Sequence, residues 1–136
     1  MRELDRGYAT RLVRTRLFQA KFRERVLAAY KSQCAMCRLR HTRLLDAAHI
    51  TPDRDPSGTP TISNGISLCR IHHGAFDAHM LAVHPTTMRI HVQPSLLAED
   101  DGPMLQHGLK ALEGRPLDLP RTTKNRPDPV HLATHW

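Results

Sequence analysis

The chain has 136 residues, 40 % hydrophobic and 4 % aromatic, with a net charge of +7 and a pI near 10. That length supports one domain with a modest core, and neither a membrane span nor a signal peptide is expected, because no apolar run is long enough and charge begins at Arg2. Three cysteines are too few for a disulfide framework; metal ligation in a reducing, cytoplasmic compartment fits them better.

The charge is unevenly spread. Up to Lys31 there are nine Lys or Arg against three acids, so most of the surplus lies in the first quarter. A polyanion partner follows, since cations displace the counterions condensed on phosphates. The scarcity of aromatics argues against a base-stacking platform for single strands and favours duplex DNA; the alternative is a basic surface that serves solubility alone.

Met1 to Arg16 is Arg-rich, with Tyr8, Leu12 and Val13 as its larger apolar residues. It fits a helix, an arm laid along a phosphate backbone, or a solvated lead-in from an upstream domain. From Phe18 to Lys31, Phe18, Phe22, Val26, Ala29 and Tyr30 recur at helical steps, while Lys21, Arg23 and Arg25 lie off that stripe. A helix packing its apolar face on the following module is expected there. Leu44, Leu45 and the alanines before His49 predict a short buried strand, ended by Pro52 and a turn-rich loop at 53–60. Thr61 to Leu68 predicts the returning strand, with Asn64-Gly65 turning inside it. The run from His73 to about Leu81 predicts a helix that places His73 and Asp77 on one face. A hairpin is expected over Leu81–Val92, short helices over Ser95–Asp101 and Met104–Leu112, and an extended basic tail from Arg115.

All three cysteines fall into one pattern. Cys34 and Cys37 form a C-x-x-C knuckle, and Cys69 and His72 repeat the two-residue spacer. Two knuckles complete a tetrahedron, and three thiolates with one imidazole suit a structural zinc ion. The competing reading is of small buried cysteines beside a surface histidine. The gap between the knuckles exceeds that of a simple zinc ribbon, and the insert carries His49 and Asn64.

His49 in DAAHI, Asn64 in SNG and His73 just after CRIH together resemble the His-Asn-His motif of HNH endonucleases. DAAHI-x-P and LC-x-x-HH-x-x-FD resemble the catalytic domains of bacterial restriction endonucleases of that family. The resemblance implies an α+β fold, a ββα-metal core stapled by zinc, with flanking helices and a C-terminal hairpin and helical extension. It divides the chain into a basic arm or linker at 1–17, a nuclease domain at 18–93, and short helices with a basic tail at 94–136. It also implies phosphodiester hydrolysis of duplex DNA with a catalytic Mg²⁺ or Mn²⁺, and a separate recognition domain or a homodimer for specificity. His49 would be the general base, Asn64 would pin the loop holding it, and His73 would bind the catalytic ion. An imidazole titrates near neutrality, as a base for water must, and a hard divalent ion supplies Lewis acidity.

Asp77, one turn beyond His73, is the expected second ligand; its alternative is a local contact with a cation or backbone amides. Many HNH enzymes place a metal-binding Asp or His directly before the base, whereas this chain has Ala48 there and Asp46 two residues earlier. Asp46 is therefore a candidate ligand, a water-mediated ligand, or a brace for the strand. His41, His84, His91, His107, His131 and His135 show no ligand spacing and read as surface or packing residues, and His79 has no assigned role. The rival functions are a zinc-stapled DNA-binding module without catalysis and a nuclease toxin.

Overall fold

The computed structural model describes residues 3–52 and 61–136; the expected loop at 53–60 lies outside the described residues. The chain opens with one helix, α1, Glu3–Ala29. The helix expected from Phe18 is its second half, and the question left open upstream is answered by unbroken helix. Only that second half has a core face: Phe22, Val26 and Leu27 are buried, whereas Tyr8, Leu12, Val13 and Leu17 are exposed. The helix stops two residues short of Lys31. Lys31 and Ser32 adopt left-handed φ values of 57° and 54°, and the Ser32 amide bonds the Leu27 carbonyl at 2.7 Å, closing the end.

The cysteine knuckle follows and is tied down at once. The Ala35 amide donates to the Ser67 carbonyl (2.8 Å) and the Ser67 hydroxyl to the Gln33 carbonyl (2.8 Å). Strands β1 (Leu45–His49) and β2 (Gly65–Cys69) pair antiparallel, with Leu45 opposite Cys69 and His49 opposite Gly65. Every residue of β2 is buried, because α1 and α2 (Arg70–Asp77) both pack on it. β1, β2 and α2 make a ββα unit within an α+β fold.

Two boundaries differ from expectation. The second strand begins at Gly65 rather than Thr61, because Ile62–Asn64 forms a 3₁₀ turn closed by the Asn64 amide on the Thr61 carbonyl (3.0 Å). Asn64-Gly65 thus sits at the strand's entrance, not in a turn within it. The glycine is needed there: a Cβ would stand 2.6 Å from Val26 Cγ2 and 2.8 Å from Phe22 Cζ. α2 starts at Arg70, earlier than expected, and ends at Asp77. His79, at φ 59°, bonds its amide to the Phe76 carbonyl (3.1 Å) and breaks the helix.

The hairpin forms as β3 (Leu81–Val83) and β4 (Ile90–Val92), and Leu81, Val83, Ile90 and Val92 join the core. The first downstream helix is shorter than expected, α3 (Pro94–Leu97). Met104–Leu109 winds as a π-type turn and Lys110–Leu112 as a 3₁₀ turn. The tail is not extended throughout. It closes with α4 (Pro129–His135), whose N-cap Asp128 accepts the Val130 amide at 2.9 Å and whose Leu132 is buried in the core.

Candidate active site and metal centre

The structural-ion pattern closes in space. The donor atoms of Cys34, Cys37, Cys69 and His72 all lie within 4.8 Å of one another, and among the described residues they are the one such group of three or more ligands. Cys34 Sγ lies 3.7 Å from His72 Nδ1, Cys69 Sγ 3.2 Å from the same nitrogen, and Cys37 Sγ 3.9 Å from Cys69 Sγ. Zinc–sulfur bonds of about 2.3 Å and zinc–nitrogen bonds of about 2.0 Å in a tetrahedron set donors about 3.5 to 3.8 Å apart, so the set fits zinc. His72 is oriented for it. Its Nε2–H donates to the Gly108 carbonyl at 2.7 Å, which leaves Nδ1 turned to the sulfurs.

Hydrogen bonds from Cys34 and Cys37 hold the Cys69 thiol far below its usual range despite burial, and His72 adds to this. Cys37 is pushed up by its bonds to Cys34 and Cys69 and then by burial. For His72, burial opposes the proton, but the contacts with Cys34, Cys69 and Gly108 outweigh it and lift the imidazole to about 10.

The His-Asn-His residues gather around the other end of the ββα unit. His49, at the end of β1, and His73 and Asp77, on α2, line one open cleft of about 720 Å³ with Gln19, His79 and His135. Asn64 does not line the cleft. Its Oδ1 accepts the Thr51 amide (2.9 Å) and its Nδ2 donates to the Thr51 carbonyl (2.9 Å), so it fixes the backbone two residues beyond His49. His49 stacks on Phe22 of α1, with ring centroids 4.0 Å apart and planes 5° from parallel. That face-to-face contact depends on the close approach of α1 at Gly65.

His73 stands between two carboxylates. Its Nδ1 donates to Asp46 Oδ2 at 2.9 Å, and its Nε2 lies 3.1 Å from Asp77 Oδ2. A carboxylate oxygen only accepts, so the Nε2–Asp77 contact takes either a ring proton or a metal ion between the two atoms. Adjacent ligands of a six-coordinate ion at about 2.1 Å stand about 3 Å apart, so His73 Nε2 and Asp77 fit neighbouring positions on a hard divalent ion.

The C-terminal segment, read from sequence as an extended tail, builds a wall of the cleft. Thr134 and His135 line it. His131 Nδ1 shares a 2.7 Å hydrogen bond with the Thr51 hydroxyl. His135 stacks on Phe76 (3.7 Å, 1°) and on His79 (4.5 Å), and its Nε2–H donates to the Phe76 carbonyl at 2.8 Å. Burial lowers the His135 pKa; His79 adds to this, against the opposing effects of the Phe76 bond and Asp77. The one local signal for this wall is Asp128-Pro129, a cap followed by a proline suited to the first helical turn.

Comparison with known proteins falls on the same stretch. The family model of HNH endonucleases matches residues 34–84. No curated protein sequence matches the chain. Among solved structures, a modification-dependent TagI restriction endonuclease shares the fold, with a TM-score of 0.53 and 20 % identity over 85 % of this chain. This chain spans 36 % of that protein's length. The knuckles, the ββα unit and the family match coincide: residues 34–84 are the stretch of this chain that is similar to HNH endonucleases.

Proposed function

We propose that the protein is a metal-dependent HNH endonuclease that hydrolyses duplex DNA, leaving 5′-phosphate and 3′-hydroxyl ends. The observation that carries this is the convergence of His49 and the His73–Asp77 pair on one open cleft. His49 takes the proton from the attacking water, and its ring is held for that task by Phe22 on one face and by the Asn64–Thr51 bonds beyond it. His73 and Asp77 hold the divalent ion, Mg²⁺ or Mn²⁺. When bound, it supplies positive charge to the phosphate and the leaving oxygen. Asp46 orients His73 from its far nitrogen instead of sharing the ion, since it and Asp77 approach opposite sides of the ring. Zinc at Cys34, Cys37, Cys69 and His72 fastens the scaffold.

The fold likeness to a restriction endonuclease supports a role as the catalytic unit of a restriction or defence enzyme, with target choice residing in another domain or a second copy. Thiolate ligation of zinc fits a reducing, cytoplasmic setting. No helix among the described residues is long and apolar enough to cross a membrane.

Nicking of supercoiled plasmid with added Mg²⁺ or Mn²⁺ is the test. His49→Ala should slow cutting by about 10²- to 10⁴-fold while zinc content stays intact. Cutting at the wild-type rate by that variant would overturn the base assignment, and binding without cutting by the wild type would make this a zinc-stapled DNA binder.

A further inference from the structure

The helix that supplies Gln19 to the cleft and stacks Phe22 on His49 carries a second pattern on its flank. Arg11, Arg14, Lys21 and Arg25 follow at steps of three, seven and four residues. At 3.6 residues per turn this gathers them within about 80° of the helix surface, along about 21 Å of its axis. All four are exposed. None pairs with an acid among the described residues, where Arg38–Asp118 is the one arginine–carboxylate bridge. At the end of the row Arg25 opens into a cavity of about 450 Å³ shared with Lys31, Arg121, Thr122 and Asn125. Lys31 comes from the helix cap and Arg121 from nearly a hundred residues away, so two separate parts of the chain bring cations to one place.

Like charges three and four residues apart weaken a helix, and this part of α1 has little core packing to offset the repulsion before Phe22. A polyanion laid along the row removes that repulsion. The length matches about six base-pair steps of duplex at 3.4 Å each.

We propose that Arg11, Arg14, Lys21 and Arg25, continued by Lys31 and Arg121, form a rail for the sugar–phosphate backbone of duplex DNA. The identity of the duplex as substrate rests on the nuclease reading; the rail itself is a binding surface and is tested as one. The measurement is fluorescence anisotropy with a duplex of about 30 base pairs across a range of salt. It uses the full chain in the His49→Ala background, zinc-loaded and without added Mg²⁺. Lys21→Gln/Arg25→Gln should lower the slope of log affinity against log salt by about 1.8, at about 0.9 per phosphate contact, and weaken binding at least about tenfold. The charge-matched pair Lys110→Gln/Arg115→Gln should leave the slope unchanged. An unaltered slope in the rail variant, or an equal fall in the control pair, would overturn the rail. Binding is read without cutting, so either result stands whatever the fate of His49 as base.

Discussion

His49 is placed by contacts from three distant parts of the chain, and each can be removed singly. Phe22 covers one face of its ring, Asn64 holds Thr51 by both backbone groups, and His131 holds the Thr51 hydroxyl. Thr51→Val keeps the side chain's shape but strands the half-buried His131 nitrogen, at a cost of about 1 to 2 kcal/mol read by urea denaturation. Gly65→Ala is expected to cost more. Its methyl would enter space held by Val26 and Phe22, and overpacking of this kind destabilises by about 1 to 3 kcal/mol. Because Phe22 carries the displacement to His49, cutting should fall further than the loss of folded protein explains. The two carboxylates around His73 separate by a different measurement, the Mg²⁺ concentration needed for half-maximal cutting. Asp46→Ala should raise it by about 10- to 100-fold, as loss of an orienting partner does, with Asp46→Asn recovering part because an amide oxygen still accepts from Nδ1. Asp77→Ala should abolish the response at attainable concentrations. Equal effects at both positions would make Asp46 a ligand.

Among the elements, α4 is one whose attachment should depend on pH. Burial lowers the His135 pKa in the folded state, while an unfolded chain leaves it near 6.5. The folded form therefore binds fewer protons, and stability present above about pH 6.5 is lost as pH falls toward the lowered value. The groups facing the ring are the Phe76 carbonyl, His79 and Asp77; Asp77 and the carbonyl bond soften the loss, and His79 deepens it. Protection factors of the amides of residues 130–135, corrected for the intrinsic exchange rate, should fall as pH drops below about 6.5, and His135→Phe, which keeps the stack on Phe76, should flatten that dependence. Much of the centre of this fold was legible in the residues themselves. Cys34, Cys37, Cys69 and His72 announce their cluster because both pairs have the same two-residue spacer, and Asp77 announces its face because a helix brings positions four apart together. The wall made by His131 and His135 had no such spacing to show. It exists because Leu132 finds the core and because Phe76, more than fifty residues earlier, offers a carbonyl and a ring. A Pro-rich composition masked the cap at Asp128 that begins the helix.

At the scale of the whole molecule the Cys–His cluster joins parts of the chain from the end of α1 to the turn after α3. Cys34 and Cys37 lie beyond the end of α1, Cys69 ends β2, His72 is in the first turn of α2, and Gly108 belongs to the turn after α3 and orients His72. The sheets are short, two strands each, and the described core draws on nearly every element for one to three side chains. A domain built this way has few contacts that survive the loss of one hub. Without an ion the cluster packs a lowered Cys69 thiol, a raised Cys37 thiol and a raised imidazole together, whereas zinc would satisfy all four donors at once. Ligand binding energy then counts as folding energy. Removing zinc with a strong chelator should abolish cooperative thermal unfolding or lower its midpoint by more than about 10 °C, since a shift of even 1 kcal/mol moves a domain of this size by about 4 °C. Re-addition of zinc, but not of Mg²⁺, should restore it. Cys37→Ser, at the one exposed position of the four, should weaken zinc retention while the cleft residues stay as they are. A chelated sample that keeps its full transition would show that the hydrophobic core alone carries the fold.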